Sequence, residues 1–583
     1  MLRLPTILCA FIVLIGITPS AAQPVYQWVN ALPGFSSWTL GASNQSSSLI
    51  VNRKGETYLF GSFSYAMDVD PGPGVDSMVA TVQQGNAANY VCKYTASGQL
   101  IWAHNVGTGG WTAAMGEDGH WYAAGGVGVD SMGLGYSADT LSTPGFFIAK
   151  YDSLDHLVWA KATGIAASVL SVKPDHNGNI FVTGVFNGTV DFDPQHPGNA
   201  LFVSSLLDGF IAKYDGDGGF LWARQIKGGD GDQGLTLAVD ANNNTLLTGY
   251  TAGYLTPSST FLDTGGVYRM LVCHGGYDGY AAKYTADGAI VWLTALGGAG
   301  NDFGRGIATD AAGNVYASGY YEVSMTVDTA ANIVLNTGIN NISGYLVKLN
   351  GASGHPIWGK NYGCDTGSGA ISFAQAITCD DTSNIYMTGM FQKSILLNPA
   401  APPIAAGTTH NNAVDYYVLK LDSAGNYKWH IHTYSPWDDE AFQVVLDKAN
   451  NVYVGGYISD TTDFDLAGPG GLVSYPMPNP NWIQVSFIAK YKQPNPAAVS
   501  NVEKNNYSIS PNPVQSELTL HASISDNATI TVLDLLGRTC NTPVIMLQEK
   551  AMIDTRSLVP GMYILQYSEQ ANTSVFRTKF IKD

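Results

Sequence analysis

The stretch VSFIAKYKQPNP, Val485 to Pro496, is half of a phrase found complete elsewhere in the chain. GFFIAKYDSLDHLVWA runs from Gly145 to Ala160 and GFIAKYDGDGGFLWA from Gly209 to Ala223, each with a tryptophan nine residues after its lysine. After Lys490 that tryptophan never arrives. Where the missing half lies decides how the chain is built.

Seven lysines share this context: Lys93, Lys150, Lys213, Lys283, Lys348, Lys420 and Lys490, spaced 57 to 72 residues apart. Six are followed nine or ten positions on by Trp102, Trp159, Trp222, Trp292, Trp358 and Trp429. The seventh tryptophan is Trp28, in WVNALPG, which reads like WLTALGG at Trp292. A third phrase lies between each tryptophan and the next lysine: DAAGNVYASG (Asp310 to Gly319), DHNGNIFVTG (Asp175 to Gly184) and DKANNVYVGG (Asp447 to Gly456), with counterparts starting at Asn52, Gly116, Asp240 and Asp380. All three phrases therefore occur seven times.

NVYASGY and FIAKYD alternate with the period of two expected of strands. They are joined by Asp-x-x-Gly clusters, in which Gly or Asn supplies the positive φ of a tight hairpin. Each unit reads as four strands: a before the Asp-Gly turn (GIATD), b after it (NVYASGY), c around the lysine (YLVKL) and d around the tryptophan (PIWGK). Four antiparallel strands repeated radially predict an all-β, seven-bladed β-propeller over residues 23–493. Strand d of the last blade is then supplied by Trp28 from the N-terminus, which removes two open edges at once.

The ends carry their own signals. Arg3, the apolar run Ile7 to Ile17 and the small residues Ser20, Ala21 and Ala22 predict a signal peptide over 1–22, with the mature chain beginning at Gln23. Eleven apolar residues are too few to cross a bilayer, so no membrane span is expected in the mature protein. Beyond Lys492, residues 494–504 read as a linker. Residues 505–583, with YSISPNPVQSELTL, ITVLDLLGR and IDTRSLVPGMYILQY, read as a small β-sandwich.

Composition narrows the function. Among 583 residues only 13% are charged and 66 are glycine, the formal net charge is −18, and no Lys/Arg run offsets it. Such a surface repels phosphate backbones, so nucleic acid is not an expected partner. Past the signal, Cys92, Cys273, Cys364, Cys379 and Cys540 are odd in number and lack CxxC spacing, which argues against a disulfide framework or structural zinc.

The phrases FIAKYD, GNIFVTG and LVWAK resemble the bacterial seven-bladed propeller repeats of secreted proteins, over roughly Gln23 to Gln493. The first two units, with RKGETYLFG and EDGHWYAAG, depart most from that pattern. The C-terminal module resembles the type A C-terminal sorting domain of the type IX secretion system of Bacteroidota. The matching positions are Pro511, Asn512 and Pro513, Asp534 with Gly537 and Arg538, Leu558, Pro560 and Gly561 with Tyr563, and a terminal Thr578 to Lys582 that includes Lys579. That resemblance implies a partner, the type IX machinery, and a secreted or cell-surface destination.

Chemistry is harder to find. No HExxH or GxSxG stands in the chain, and His430 and His432 form a lone HxH on one strand face. Paired acids recur as Asp68/Asp70, Asp191/Asp193 and Asp463/Asp465, with loop pairs Asp215/Asp217 and Asp230/Asp232. Calcium is the cation such oxygen-rich turns suit, with Asp191, Asp193, Asp463 and Asp465 as candidate ligands. Partial versions at Asp263 and Asp328 favour the plainer reading, turn capping.

A site is rarely repeated seven times, so function is sought where the repeat is broken. Trp38, Trp111, Trp437 and Trp482 stand outside the pattern and are placed by topology in long d–a or b–c connections, on one face, as candidate ligand-binding residues; Trp121 aligns with a b strand and reads as core. The expectation is a non-catalytic binding or adhesion module for a glycan or surface polymer. Its rivals are a polysaccharide lyase or hydrolase with acids or histidines gathered at the channel, and a structural envelope component.

Overall fold

The a–b turns form because a single aspartate saturates each one. Oδ1 of Asp175 accepts from the amides of Asn177 and Asn179, both at 2.9 Å, and Oδ2 accepts from Asn179 Nδ2 at 2.8 Å. Asp240, Asp310, Asp380 and Asp447 repeat the arrangement. The fourth turn residue is left-handed throughout, glycine at Gly178 and Gly313 but Asn243, Ser383 and Asn450 elsewhere.

The computed structural model describes residues 23–583 except 36–44, 71–75, 81–87, 108, 128–131, 134–139, 142–144, 194, 230, 254–257, 329–332, 338–340, 364–368, 399–403, 408–412, 434, 436, 460, 466–470, 474–483, 494–507, 512, 522–527, 535–537, 548–549 and 571–572. Among the described residues the strands pair antiparallel in a-b-c-d order. Set 1 is Gln45–Val51, Thr57–Phe63, Ala88–Tyr94 and Leu100–Gly107; set 2 is Trp111–Met115, Trp121–Val127, Gly145–Tyr151 and Leu157–Ala162. Set 3 is Ala167–Pro174, Ile180–Asp191, Leu201–Tyr214 and Phe220–Lys227; set 4 is Gln233–Val239, Thr245–Ala252, Tyr277–Tyr284 and Ile290–Gly298. Set 5 is Phe303–Thr309, Val315–Glu322, Ile342–Leu349 and Pro356–Tyr362; set 6 is Ile371–Cys379, Ile385–Gln392, Val414–Leu421 and Tyr427–His432.

Set 7 answers the question of the truncated phrase. Glu440–Leu446, Val452–Ile458 and Val485–Lys492 are its a, b and c strands, and Val25–Leu32 is the fourth, with Trp28 directly opposite Lys490. The b–c connections, read from sequence as plain loops, carry small hairpins of their own. Examples are Ala66–Asp68 with Ser77–Val79 and Ser324–Asp328 with Ile333–Asn336.

Neighbouring sets are latched by the repeated lysine and tryptophan. The indole of Trp222 and the ammonium of Lys213 both donate to the carbonyl of Ala286, in the c–d turn of set 4, at 3.0 and 3.2 Å. Trp292 and Lys283 do the same to Gly351 at 3.1 and 2.8 Å. Trp28 and Lys490 reach Ala96 at 3.1 and 2.9 Å, so set 7 grips set 1 as set 3 grips set 4. The turn glycine lies flat on the indole: a Cβ on Gly98, φ +85°, would stand 2.8 Å from Trp28, and one on Gly288 would stand 2.7 Å from Trp222. The lysines are mostly buried, and their charge is held by carboxylates such as Asp155 (2.7 Å) and Glu56 (2.9 Å) on Lys93, and Asp240 (2.8 Å) on Lys283. Six of the seven also lie over a b-strand ring, as Lys213 does over Phe181 at 4.6 Å and Lys490 over Tyr453 at 5.0 Å; Lys283 faces Leu246 instead.

The step from set 6 to set 7 differs because set 7 has no c–d turn. Lys420 donates instead to Gln493 Oε1 at 3.3 Å, its nearest carboxylate, Asp380, is at 4.0 Å, and burial lowers its pKa. Trp429 Nε1 is buried without a hydrogen-bond partner among the described residues.

The chain divides into two compact units, Met1–Asp460 with Met477–Gln493, and Thr461–Pro476 with Pro494–Asp583. In the second, two four-stranded sheets face each other. One is Ser508–Ser510, Glu517–His521, Lys550–Asp554 and Val544–Leu547; the other is Thr539–Cys540, Thr529–Leu533, Gly561–Gln570 and Thr573–Lys582. Val514, Leu518, Leu520, Val532, Ile553, Leu565 and Phe580 fill the space between them. Cys92, Cys273, Cys379 and Cys540 are free thiols. No helix among the described residues is long and apolar enough to cross a membrane.

Candidate functional site

The a strands converge. A cavity of about 770 Å³ is lined by residues of the first strand of every set, 48–53, 112–117, 170–173, 235–237, 305–307, 375–381 and 442–450. Six of these strands carry a β-bulge at the same register, between Ser46 and Ser48, Val169 and Ser171, Gly234 and Thr236, Gly304 and Gly306, Ala374 and Ala376, and Ala441 and Gln443. A bulge re-aims the extra side chain. The extra residues are Ser47, Leu170, Leu235, Arg305, Gln375 and Phe442, different in nearly every set although the frame around them repeats. From Leu170 onward they line the cavity.

Just outside the bulges, where a and c strands begin and b strands end, aromatic rings form a continuous arc. Tyr250 meets Tyr277 at 5.3 Å and Phe303 at 4.7 Å, Phe303 stacks on Tyr320 at 4.8 Å, and Tyr320 stacks on Phe373 at 4.1 Å. All five rings are partly exposed. Arg305 stands beside the middle of the arc, its guanidinium 6.0 Å from the Phe303 centroid and 5.5 Å from that of Tyr320, with Nη2 donating to Tyr320 Oη at 3.4 Å. Strand order puts these residues on the face of the b–c and d–a connections.

Beneath that face lie buried acids. Asp232 and Asp302 stand just before a strands and tie three chain segments. Asp302 accepts from the amides of Gly298 at 2.5 Å and Glu322 at 3.2 Å, and Asp232 accepts from Ser259 Oγ at 2.9 Å and the Ala252 amide at 3.3 Å. Burial pushes their pKa values up, to about 8 for Asp302 and about 7 for Asp232, with Asp278 and Asp208 respectively adding like-charge repulsion. Asp415 is likewise raised to about 7 by burial. None of the three is exposed to solvent, so they brace the connections rather than meet a ligand.

Of the four candidate tryptophans, two are described, and they stand in different surroundings. Trp437 is 46% exposed, in the d–a connection before Glu440–Leu446. Trp111, expected on a connection, begins a strand instead and is 3% exposed, packed on Phe147 at 4.7 Å and Phe60 at 6.4 Å. Its strand is the one a strand without the bulge: Trp111 pairs directly with Gly125, so its side chain turns into the core. Trp38 and Trp482 lie outside the described residues. Trp121 is core as expected, stacked on Tyr151 at 3.8 Å.

The candidate calcium ligands are engaged in turns. Asp191 Oδ1 accepts from the Asp193 amide at 3.0 Å and Oδ2 from the Gly198 amide at 2.6 Å, Asp193 meets His196 and Asn199, and Asp463 Oδ1 accepts from the Asp465 amide at 2.9 Å. Among the described residues no group of three or more His, Cys, Asp or Glu is placed to hold a metal ion. His430 and His432 stack at 5.3 Å, and burial lowers both pKa values, that of His430 to about 4.

In the sandwich, Arg538 Nε donates to Asp534 at 2.7 Å, and Tyr563 stacks on Phe580 at 5.7 Å while its hydroxyl donates to Val559 O at 2.9 Å. Lys579 is exposed, and Pro511, Pro513, Pro560 and Gly561 occupy the turns and strand starts around this core. Asn512 and Gly537 lie outside the described residues.

Comparison with known proteins places names beside these two parts. Residues 291–320 match the family described as beta-propeller repeat, and residues 508–583 the family described as secretion system C-terminal sorting domain. An uncharacterized WD repeat-containing protein of Acanthamoeba polyphaga mimivirus is 25% identical over 349 residues, 50% of this chain and 24% of that protein. The regulatory protein FlaEY of Caulobacter vibrioides is 29% identical over 143 residues, 24% of this chain and 14% of its own length. The chain thus spans less than a quarter of either curated relative. Among solved structures, Sqt1 from Chaetomium thermophilum aligns with TM-score 0.34 and 8% identity over 81% of this chain and all of its own. A streptogramin B lyase aligns with TM-score 0.33 and 10% identity over 79% of this chain and 97% of that one. The all-β chain therefore carries β-propeller repeats ahead of a C-terminal sorting domain, and that domain marks it for export by type IX secretion, to the cell surface or beyond.

Proposed function

We propose that the seven strand sets close into one β-propeller ring, and that this ring is a non-catalytic binding or adhesion module working outside the cell, with a glycan or other surface polymer as its ligand. Support for the ring comes from the pairing of Val25–Leu32 with Val485–Lys492 and from the Trp28 latch onto set 1. The observation that carries the binding role is the partly exposed arc Tyr250, Tyr277, Phe303, Tyr320 and Phe373 on the long-connection face. Rings held by a rigid scaffold offer stacking area at little cost in conformational entropy. Trp437 belongs to the same face and extends the proposed contact surface.

The test is a panel of polysaccharides offered to the secreted protein and to Phe373→Ala and Trp437→Ala variants. Retention on one polymer class, weakened in both variants with folding intact, supports the reading. Release of shortened products from any polymer would establish an enzyme instead. Neither retention nor products would favour a structural envelope role.

A further inference from the structure

The arc has a charge at its centre, and that charge is unmatched. Arg269, Arg538 and Arg556 each have a carboxylate within ion-pair distance; Arg53, Arg224 and Arg305 have none among the described residues, but Arg53 and Arg224 donate to backbone carbonyls and Arg305 does not. Among the described residues its side chain makes one hydrogen bond, to Tyr320 Oη and long at 3.4 Å, and its buried Nε has no partner. A guanidinium carries five donors in a planar fork, and leaving a buried donor unsatisfied costs free energy. Nothing about strand pairing demands this cation, since the same bulge position holds leucine at Leu170 and Leu235 and glutamine at Gln375.

A second feature points the same way. Phe303 and Tyr320 flank the guanidinium and Phe373 continues the stack, so a planar fork that lines the cavity lies beside a run of aromatic rings. Arg is the side chain suited to bidentate pairing with an oxyanion, and aromatic faces suit the C–H face of a sugar. The overall charge of −18 disfavours polyanions at long range, but ionic screening confines that repulsion to about 8 Å at physiological salt, so the local cation decides close contact.

We propose that the saccharide received here is acidic: a carboxylate or sulfate pairs with Arg305 while the sugar ring stacks on Phe303, Tyr320 and Phe373. This rests on the binding role proposed above. Binding of uronate, sulfated and neutral oligosaccharides of equal length is measured by calorimetry on the whole protein and on Arg305→Met and Phe373→Ala. Arg305→Met keeps the apolar stem against the rings and removes the fork; melting curves check that it folds. Expected is a preference for one or both acidic classes, at least tenfold weaker in Arg305→Met, and lost in Phe373→Ala. Uronate and sulfate arms separate the two sources of the anion. Neutral oligosaccharides bound as tightly as acidic ones, or acidic binding unchanged in Arg305→Met, would overturn the role of the charge and leave glycan binding standing. Absence of binding to every class would overturn both.

Discussion

The indole of Trp28 donates to the carbonyl of Ala96 at 3.1 Å, and the turn glycine beside it, Gly98, leaves no room for a Cβ against the same ring. These are the contacts that Trp222 makes to Ala286 and Gly288, and Trp292 to Gly351 and Gly354. One chain terminus thus takes the part that an internal hairpin plays elsewhere. The first prediction concerns this residue: Trp28→Ala should destabilise the propeller by about 3 kcal/mol, read as an earlier denaturant midpoint. A midpoint unchanged within error would mean that Val25–Leu32 is not a structural strand.

Two glycines separate strain from space. Gly98 and Gly198 both have positive φ, +85° and +89°, but Gly98 is packed on Trp28 whereas nothing lies within 4 Å of a Cβ on Gly198. Gly198→Ala should cost about 1 kcal/mol for backbone conformation alone, and Gly98→Ala clearly more. Thermal melts of the two variants decide it; equal losses would show that the indole moves aside freely.

The latch hydrogen bond can be weighed by comparing two tryptophans. Trp292→Phe loses the bond to Gly351 and should cost about 1 kcal/mol beyond the change in packing. Trp429→Phe loses no such bond among the described residues and should be milder, or even neutral. Matching losses would place an acceptor beside Trp429.

Stability should fall as pH rises. Asp302, Asp232 and Asp415 have folded pKa values raised above the unfolded carboxylate range, so the stability they contribute is complete below about pH 4. It is lost progressively as pH climbs through about 7 to 8. Asp278, also raised, uses Oδ2 for the amides of His274 and Gly275, while its buried Oδ1 has no partner. Asp278→Asn should therefore fold well and flatten the fall in melting temperature between pH 5 and pH 8.5. A steeper fall in the variant would contradict the assignment.

Calcium should have little effect on the first unit. The carboxylates of Asp68 and Asp191 already accept backbone amides within their own hairpins. Melting with millimolar calcium and with chelator should agree within about 1 °C; a shift of several degrees would point to a site outside the described residues.

Much of the architecture was legible in the sequence because each local device uses a fixed spacing. Lys and Trp nine apart face each other across one hairpin, as Lys213 and Trp222 do, and the Asp-x-x-Gly-Asn turn is closed by side chain and backbone within five residues. Trp28 was placed opposite Lys490 by the same reasoning. The aromatic arc was not legible. Tyr250, Phe303 and Phe373 lie far apart along the chain, and a bulge, which shifts side chains by one position, leaves no mark in composition. The same blindness misplaced Trp111: by count it matches Arg305, but without the bulge it points inward. A variable residue five positions before each turn aspartate was the signal available.

The pairing of Val25–Leu32 with Val485–Lys492 has a consequence for how the molecule is made. The strand synthesised early must wait for a partner roughly 460 residues later, so the last sheet cannot be completed until nearly the whole propeller has left the ribosome. Long-range closure of this kind is slow to form. A chain caught short of it stays incomplete at one sheet, with the edge of Val485–Lys492 left open.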